Sequence, residues 1–316
     1  MELGIQVFFT DPSSPESTRI RGGPDEPLAA AIDDARLSVD VAIYNLDLYG
    51  IRDALIAAHE RGVQVRMVIE QDYAANEAFQ KLQAAGIPIV ADKASDYMHD
   101  KFLVIDRYEV WTGSMNYTVG DVYGDRNNLV AIKSTRLAQN YETEFNEMFL
   151  ERRFGPSSPA DTPYPNLDLN GILVETYFSP EDGTLAHLLA LVNEAKESVY
   201  FLAYSFTSDE LSDALIAAAA RGVDVRGVFD TGQVASNTGG EYERLRAAGI
   251  NVRLDGEGGS LHDKVLIIDS RIVVTGSYNF SKNAERNNDE NTLVIHSQEV
   301  AAKYLEEFER IWNLAK

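Results

Sequence analysis

Residues 98–118 read MHDKFLVIDRYEVWTGSMNYT, and residues 261–281 read LHDKVLIIDSRIVVTGSYNFS. Each stretch holds His-x-Lys, four residues, Asp, six residues, then Gly-Ser-x-Asn. The matched positions are all displaced by 163 residues: His99 and His262, Lys101 and Lys264, Asp106 and Asp269, Ser114 and Ser277, Asn116 and Asn279. The runs Leu103-Val104-Ile105 and Leu266-Ile267-Ile268 are short and apolar, which predicts strands. Side chains alternate along a strand, so His99 and Lys101 share a face. A turn at Asp106-Arg107-Tyr108 predicts a hairpin whose second strand ends at Gly113-Ser114. One copy gathers an imidazole, an ammonium, a hydroxyl and an amide. Two copies face to face gather two of each.

The same order of segments repeats around the motifs. SVDVAIYNL (38–46) is answered by SVYFLAYSF (198–206), and RDALIAAHERGVQVRMVIE (52–70) by SDALIAAAARGVDVRGVFD (212–230). Three extra residues in TGQVASNTGG (231–240) shift the second repeat. Strands alternating with helices predict parallel βαβ units, to which each motif adds an antiparallel hairpin. The expected fold class is α/β, with two tandem domains related by a pseudo-twofold axis, each a mixed β-sheet flanked by helices. The expected boundaries are 1–154 and 172–316, joined by a Pro/Ser-rich linker, GPSSPADTPYPNLDLNG (155–171). The segments 11–27 and 231–240 read as loops that could act as small lids.

Composition narrows the partners. The 316 residues carry no cysteine, which excludes disulfides and thiolate metal sites. The formal net charge is −22, and it is spread over both halves, which disfavours non-specific binding to polyanions but leaves room for a small basic cleft. MELGIQVFF shows no signal peptide, and no apolar run reaches the ~18–20 residues that span a bilayer. The localisation therefore stays open, with a soluble protein expected.

A neutral imidazole can attack phosphorus and form a covalent phospho-histidine, while a second, protonated imidazole serves the leaving oxygen. Lys101 and Lys264 would hold the non-bridging oxygens, with Asn116 and Asn279 as further donors. Ser114 and Ser277 read as supports, and Asp106 and Asp269, at strand ends, join the candidate site residues either as supports behind the reacting groups or as structural. Each histidine precedes a lysine that repels cations, and His59, His187 and His296 have no ligand spacing. No metal and no cofactor are expected. Arg126, Lys282 and Arg286, with Asn127, lie in loops after the motifs and could form a basic rim for phosphates.

The duplicated His-x-Lys-x4-Asp motif with Gly-Ser-x-Asn resembles the phospholipase D superfamily. The second half, through AYSFTS and GSYNFSKNAERNNDEN, is most similar to its bacterial nuclease branch. The resemblance implies a metal-independent phosphodiesterase acting through a phospho-histidine, with nucleic acid as substrate and phospholipid head groups as the alternative. Those nucleases pair one motif per subunit. A chain carrying both half-sites implies a monomer. In the superfamily an acidic residue after the motif buttresses a histidine. Here that position holds Glu290 in the second half and Asn127 in the first, so Glu290 reads as the single carboxylate available. By resemblance to the crossed arrangement of the tyrosyl-DNA phosphodiesterases, Glu290 pairs with His99 and Asn127 with His262. That makes His99 the nucleophile and His262 the acid and later base; an uncrossed pairing would reverse them.

Overall fold

The computed structural model describes residues 4–93, 96–256 and 258–316. The first half contributes β1 (Ile5–Phe9), β2 (Ser38–Ile43), β3 (Gln64–Ile69), β4 (Ile89–Ala91), β5 (Lys101–Ile105), β6 (Glu109–Gly113) and β7 (Asn128–Lys133). They form one sheet in the order β1-β7-β6-β5-β2-β3-β4. β2, β3 and β4 run parallel, joined by helices Tyr49–Glu60 and Glu77–Ala84, and the motif hairpin β5–β6 adds antiparallel to β2.

The second half contributes β8 (Asn166–Leu169), β9 (Ile172–Ser179), β10 (Ser198–Ala203), β11 (Asp224–Phe229), β12 (Asn251–Leu254), β13 (Lys264–Ile268), β14 (Ile272–Gly276) and β15 (Glu290–His296). Their order, β12-β11-β10-β13-β14-β15-β9-β8, repeats the first sheet and extends it by one edge strand. That strand, β8, lies inside the stretch that reads as linker. Its Leu167 is buried opposite Val174 of β9, so the Pro-rich segment docks rather than spans.

One apolar cluster runs through both halves and two others lie on the outer faces. The shared cluster is built on helices Thr135–Asn146 and Gln298–Leu314. The second buries Val300, Ala301, Tyr304, Phe308, Ile311 and Trp312, a single stripe at helical period, and Ser297 caps its start on the amide of Val300. The first repeats this with Leu137, Ala138, Tyr141 and Phe145, capped by Ser134. Two sheets thus share one largely apolar interior, which fixes the halves relative to each other.

The segments leading into each motif also cross. Met98 bridges Asp289, and Arg126 bridges Leu261, both in parallel register. The amide of His99 donates to the Asp289 carbonyl at 3.0 Å, and that of His262 to the Arg126 carbonyl at 2.9 Å. Each histidine is therefore delivered beside the strand that follows the other half's motif. The two loops proposed as lids are partly built: Ser17–Arg19 forms a 3₁₀ turn, and Thr231–Ser236 a short helix capped by Asp230.

Candidate active site

The hairpins turn as their sequences require. Asp106 and Arg107 sit at φ 52° and 56°, Asp269 and Ser270 at 50° and 53°, the left-handed pair of a two-residue turn. The Asp106 carboxylate accepts the amides of Arg36, Leu37 and Ser38, with the shortest contact at 2.6 Å. Asp269 accepts those of Lys196, Glu197 and Ser198. Both aspartates lie roughly 20 Å along the strand from their histidines and are structural. They do not belong among the site residues.

The glycine of each Gly-Ser pair has a steric cause. A Cβ on Gly113 would stand 2.3 Å from the carbonyl oxygen of Asn128, and one on Gly276 2.1 Å from that of Asn291. The close approach lets Ser114 and Ser277 reach the start of the neighbouring strand. Ser114 Oγ donates to Asn127 Oδ1 at 2.8 Å and accepts the Asn128 amide at 3.1 Å. Ser277 Oγ accepts the Asn291 amide at 3.0 Å and hydrogen-bonds Glu290. The serines support the residues that hold the histidines.

The histidine partners come from the opposite halves. His99 Nδ1 is 2.8 Å from Glu290 Oε2, and His262 Nδ1 is 2.9 Å from Asn127 Oδ1. Asn127 Oδ1 can only accept from His262, which places that proton on Nδ1 and leaves Nε2 with its lone pair. Glu290 fixes the same tautomer in His99 when ionised. The lysine ammoniums fold back on the motif: Lys101 Nζ donates to the His99 carbonyl at 2.8 Å, and Lys264 Nζ to the His262 carbonyl at 2.6 Å. Edge-on tyrosines wall the rings, Tyr44 against His99 at 4.9 Å and Tyr204 against His262 at 4.5 Å between centroids.

Burial and mutual repulsion tune the group. Desolvation, then Lys101 and Lys264, hold His99 well below the ordinary imidazole range, and desolvation, then Lys264, push His262 down to about 3. Desolvation lowers Lys101 to about 8 and, with help from Lys101, Lys264 to about 7. It raises Glu290 to about 7. The two half-sites act on each other electrostatically, as one site must.

Four expectations need correction. Glu290 is not the single carboxylate: Asp121 Oδ1 lies 3.3 Å from His262 Nδ1. Asn116 Nδ2 donates to Asp121 at 3.0 Å, so its donor is directed at this carboxylate rather than at a substrate oxygen; Asn279 occupies the matching place, half-buried. Arg126 is 1% exposed, its guanidinium on the Gly258 carbonyl, and contributes no exposed rim. Asn127 is consumed by His262, Ser114 and the Asp121 carbonyl. Of the basic rim, Lys282 and Arg286 are exposed, and Lys282 is paired with Asp209 at 2.9 Å.

Asp121 carried a local signal. Thr118-Val-Gly-Asp121 is a helix-start pattern, and Thr118 Oγ1 does accept the Asp121 amide at 3.0 Å. Nothing in that pattern says that the carboxylate also faces a histidine of the other half. Among the described residues, no group of three or more His, Cys, Asp or Glu is arranged to hold a metal ion. His296 pairs with Glu175, and His187 stacks on Tyr177.

The family model for the cardiolipin synthase, phospholipase D-like domain matches residues 28–149 and again 188–312. The chain belongs to the phospholipase D superfamily. It is a phosphodiesterase of that superfamily, and both matched segments contain a complete motif. A phospholipase D of Rickettsia conorii is 37% identical over 139 residues, 44% of this chain and 69% of that protein. The human mitochondrial cardiolipin hydrolase is 40% identical over 132 residues, 42% of this chain and 52% of its own length, so the match spans about half of that relative. The phosphatidylserine synthase of Haemophilus influenzae shares the fold along 98% of this chain and 87% of its own, with a TM-score of 0.73 and 15% identity. No helix among the described residues is long and apolar enough to cross a membrane.

Proposed function

We propose that this chain hydrolyses nucleic-acid phosphodiesters without a metal ion, through a phospho-histidine. The observation that carries the reading is the crossed pair of Nδ1 contacts, His99 to Glu290 and His262 to Asn127, which leaves two Nε2 atoms to act on one phosphate. His99 Nε2 attacks phosphorus, the bond to the leaving oxygen breaks, and His262 Nε2–H gives that oxygen its proton. His262 then takes a proton from water, the hydroxide attacks phosphorus, and the P–N bond returns its electrons to His99. Lys101 and Lys264 offset the charge on the non-bridging oxygens.

His99 is assigned as nucleophile because Glu290 is the more dedicated partner. Asp121 shares its Oδ1 with the amide and side chain of Asn116 and sits farther from its imidazole. A carboxylate on Nδ1 stabilises the cationic ring that forms when phosphorus bonds Nε2. The incoming phosphate raises His262 so that it can carry the proton needed by the leaving group.

Nucleic acid is favoured over lipid by the surface. Among the described residues the exposed large aliphatic side chains, Ile20, Leu37, Val119, Leu150, Leu173 and Leu314, are scattered along the chain, and the exposed ring nearest His99 is the aromatic Tyr97, packed on Tyr44. The names of the similar proteins favour the second reading, a phospholipase D acting on head groups. One assay plate decides: plasmid, oligonucleotide and phosphatidylcholine vesicles, each with and without chelator. Cleavage of nucleic acid that survives chelation is expected. Activity abolished by chelator and restored by Mg²⁺ or Zn²⁺ overturns the metal-free route.

A further inference from the structure

The two flanks of the site differ although the motifs match. Beside His99, Tyr44 meets Tyr73 at 5.0 Å and 69°, and Tyr97 at 5.7 Å and 84°, so three rings form one wall. Beside His262 stands Tyr204, and the places of Tyr73 and Tyr97 in the repeat are held by Gln233 and Ser260, so no second or third ring follows it. Gln233 neighbours the Tyr204 hydroxyl, whereas the Asn237–Ser205 hydrogen bond at 3.0 Å is matched by Asn76–Asn45 at 2.9 Å on the other flank. One flank is aromatic and the other is amide and hydroxyl. Tyr97, 43% exposed, is the most open ring of the wall, and Tyr44 and Tyr73 are half-buried behind it.

The geometry points to a nucleobase subsite at Tyr97 and Tyr73, on the His99 flank of the scissile phosphate. This rests on the nuclease reading and adds where a base is held. An aromatic wall can also receive a quaternary ammonium. Here the Lys101 ammonium already lies 5.1 Å from the Tyr44 ring centroid, and Lys264 shares the site, so a further cation is repelled. Burial, then the Tyr73 hydroxyl, push the Tyr44 phenol above its ordinary range, so the wall stays neutral. A neutral planar ring beside a phosphate is what such a wall accepts, and every nucleobase has that face. The polar flank makes no such demand, so the enzyme requires a base on one side of the phosphate only.

The test uses a short single-stranded DNA with one phosphodiester, the other linkages being methylphosphonate. An abasic tetrahydrofuran replaces the nucleotide on one flank or the other. With wild-type enzyme, an abasic residue on one flank lowers kcat/KM about tenfold and on the other has little effect. Tyr97→Ala removes that discrimination, Tyr97→Phe keeps it, and Tyr73→Gln, the residue its counterpart carries, weakens it should Tyr97→Ala fold poorly. Equal tolerance of both abasic substrates by wild type, or undiminished discrimination in Tyr97→Ala and Tyr73→Gln, overturns the subsite while leaving a nuclease. Hydrolysis of phosphatidylcholine vesicles with no cleavage of any oligonucleotide overturns the nuclease reading, and the subsite with it.

Discussion

Asp121 lies 3.3 Å from His262 Nδ1, and the residue at its place in the second half is Ala284. Burial would raise this carboxyl, but hydrogen bonds from His262, Thr118 and the Asn116 amide outweigh it and hold Asp121 below the usual range. An ionised carboxylate there supports a protonated His262. The two buttresses are thus unlike in position, one carried on strand β15 and one on the helix after the Gly-Ser-x-Asn segment.

Asp121→Asn keeps the shape and removes the charge. Asp121 favours the protonated form of His262, so its loss lowers the pKa of that imidazole in the substrate complex. The alkaline limb of the kcat profile is expected to move to lower pH, and kcat at pH 7 to fall at least about tenfold. A parallel drop at all pH values, with the limb in place, would assign Asp121 to architecture alone.

Division of labour is read by trapping. On a substrate whose leaving group needs no proton, His262→Ala is expected to accumulate a phospho-enzyme labelled at His99, and His99→Ala to give none. A label on His262 reverses the roles and leaves the family assignment intact.

Binding of an anion should draw protons in. Both imidazoles are depressed, and the lysines sit at about 8 and about 7, so the empty site is short of protons near neutrality. A bound anion raises all four groups. Calorimetry of inorganic phosphate binding at pH 7.5, in buffers of different ionisation enthalpy, is expected to show net proton uptake. Zero uptake would mean that the four groups are already charged.

The interface carries a second crossed pair. Asn128 Nδ2 donates to Asp263 Oδ1 at 2.6 Å, and its side-chain Oδ1 accepts from Thr275 and Tyr304 at 2.6 and 2.9 Å. Asn291 does the same for Asp100, Thr112 and Tyr141. Asn128→Ala strands three buried polar groups of the other half, which costs about 2–4 kcal/mol. Urea unfolding should show that loss in one transition, since the halves share a core. A loss below about 0.5 kcal/mol would show the network to be dispensable.

The hairpins and the repeated βαβ order were legible because each rests on spacing within a motif or on symmetry between two copies; the positions of Glu290 and Asn127 followed from spacing, but their crossed pairing came from the family resemblance. Strand alternation turned Asp106 and Asp269 away from the His/Lys face, and their carboxylates hold backbone amides at the foot of each hairpin. What stayed hidden breaks the symmetry or spans the halves. Asp121 has no counterpart carboxylate, Arg126 reads as a loop cation until the cross-domain bridge buries it, and β8 reads as linker because Pro-rich composition outweighs four residues of pattern. Asn128 is the first residue of β7 and Asn291 the second of β15, and period alone does not tell which partner waits 135 or 191 residues away.

The same broken symmetry sets the pH response of stability. Glu307 is held by Arg310 at 2.6 and 2.8 Å, with Arg126 nearby. The matching places are Glu144 and Glu147 in the first half and, for Arg126, Asp289 in the second, so a carboxyl replaces each arginine. Burial, then neighbouring carboxyls including Glu181, hold Glu144 well above the usual range; burial, then a hydrogen bond with Asp161, push Glu147 up to about 9. A raised folded-state pKa means the native protein binds more protons than the unfolded chain. Each such group contributes stability that is present below about pH 4 and is lost as pH climbs through the folded value, here up to about 9. The depressed histidines act oppositely, costing stability as pH falls below about 6.5. Glu147→Gln removes one titration from this balance. It is expected to raise Tm at pH 8 by several degrees, from a gain of about 1–2 kcal/mol, and to leave Tm at pH 5 nearly unchanged, because Glu147 is already protonated there. Thermal unfolding of both proteins at the two pH values reads this directly. An equal change in Tm at pH 5 and pH 8 would show that Glu147 is not protonated in the native state, and the pH dependence would then have to come from other groups.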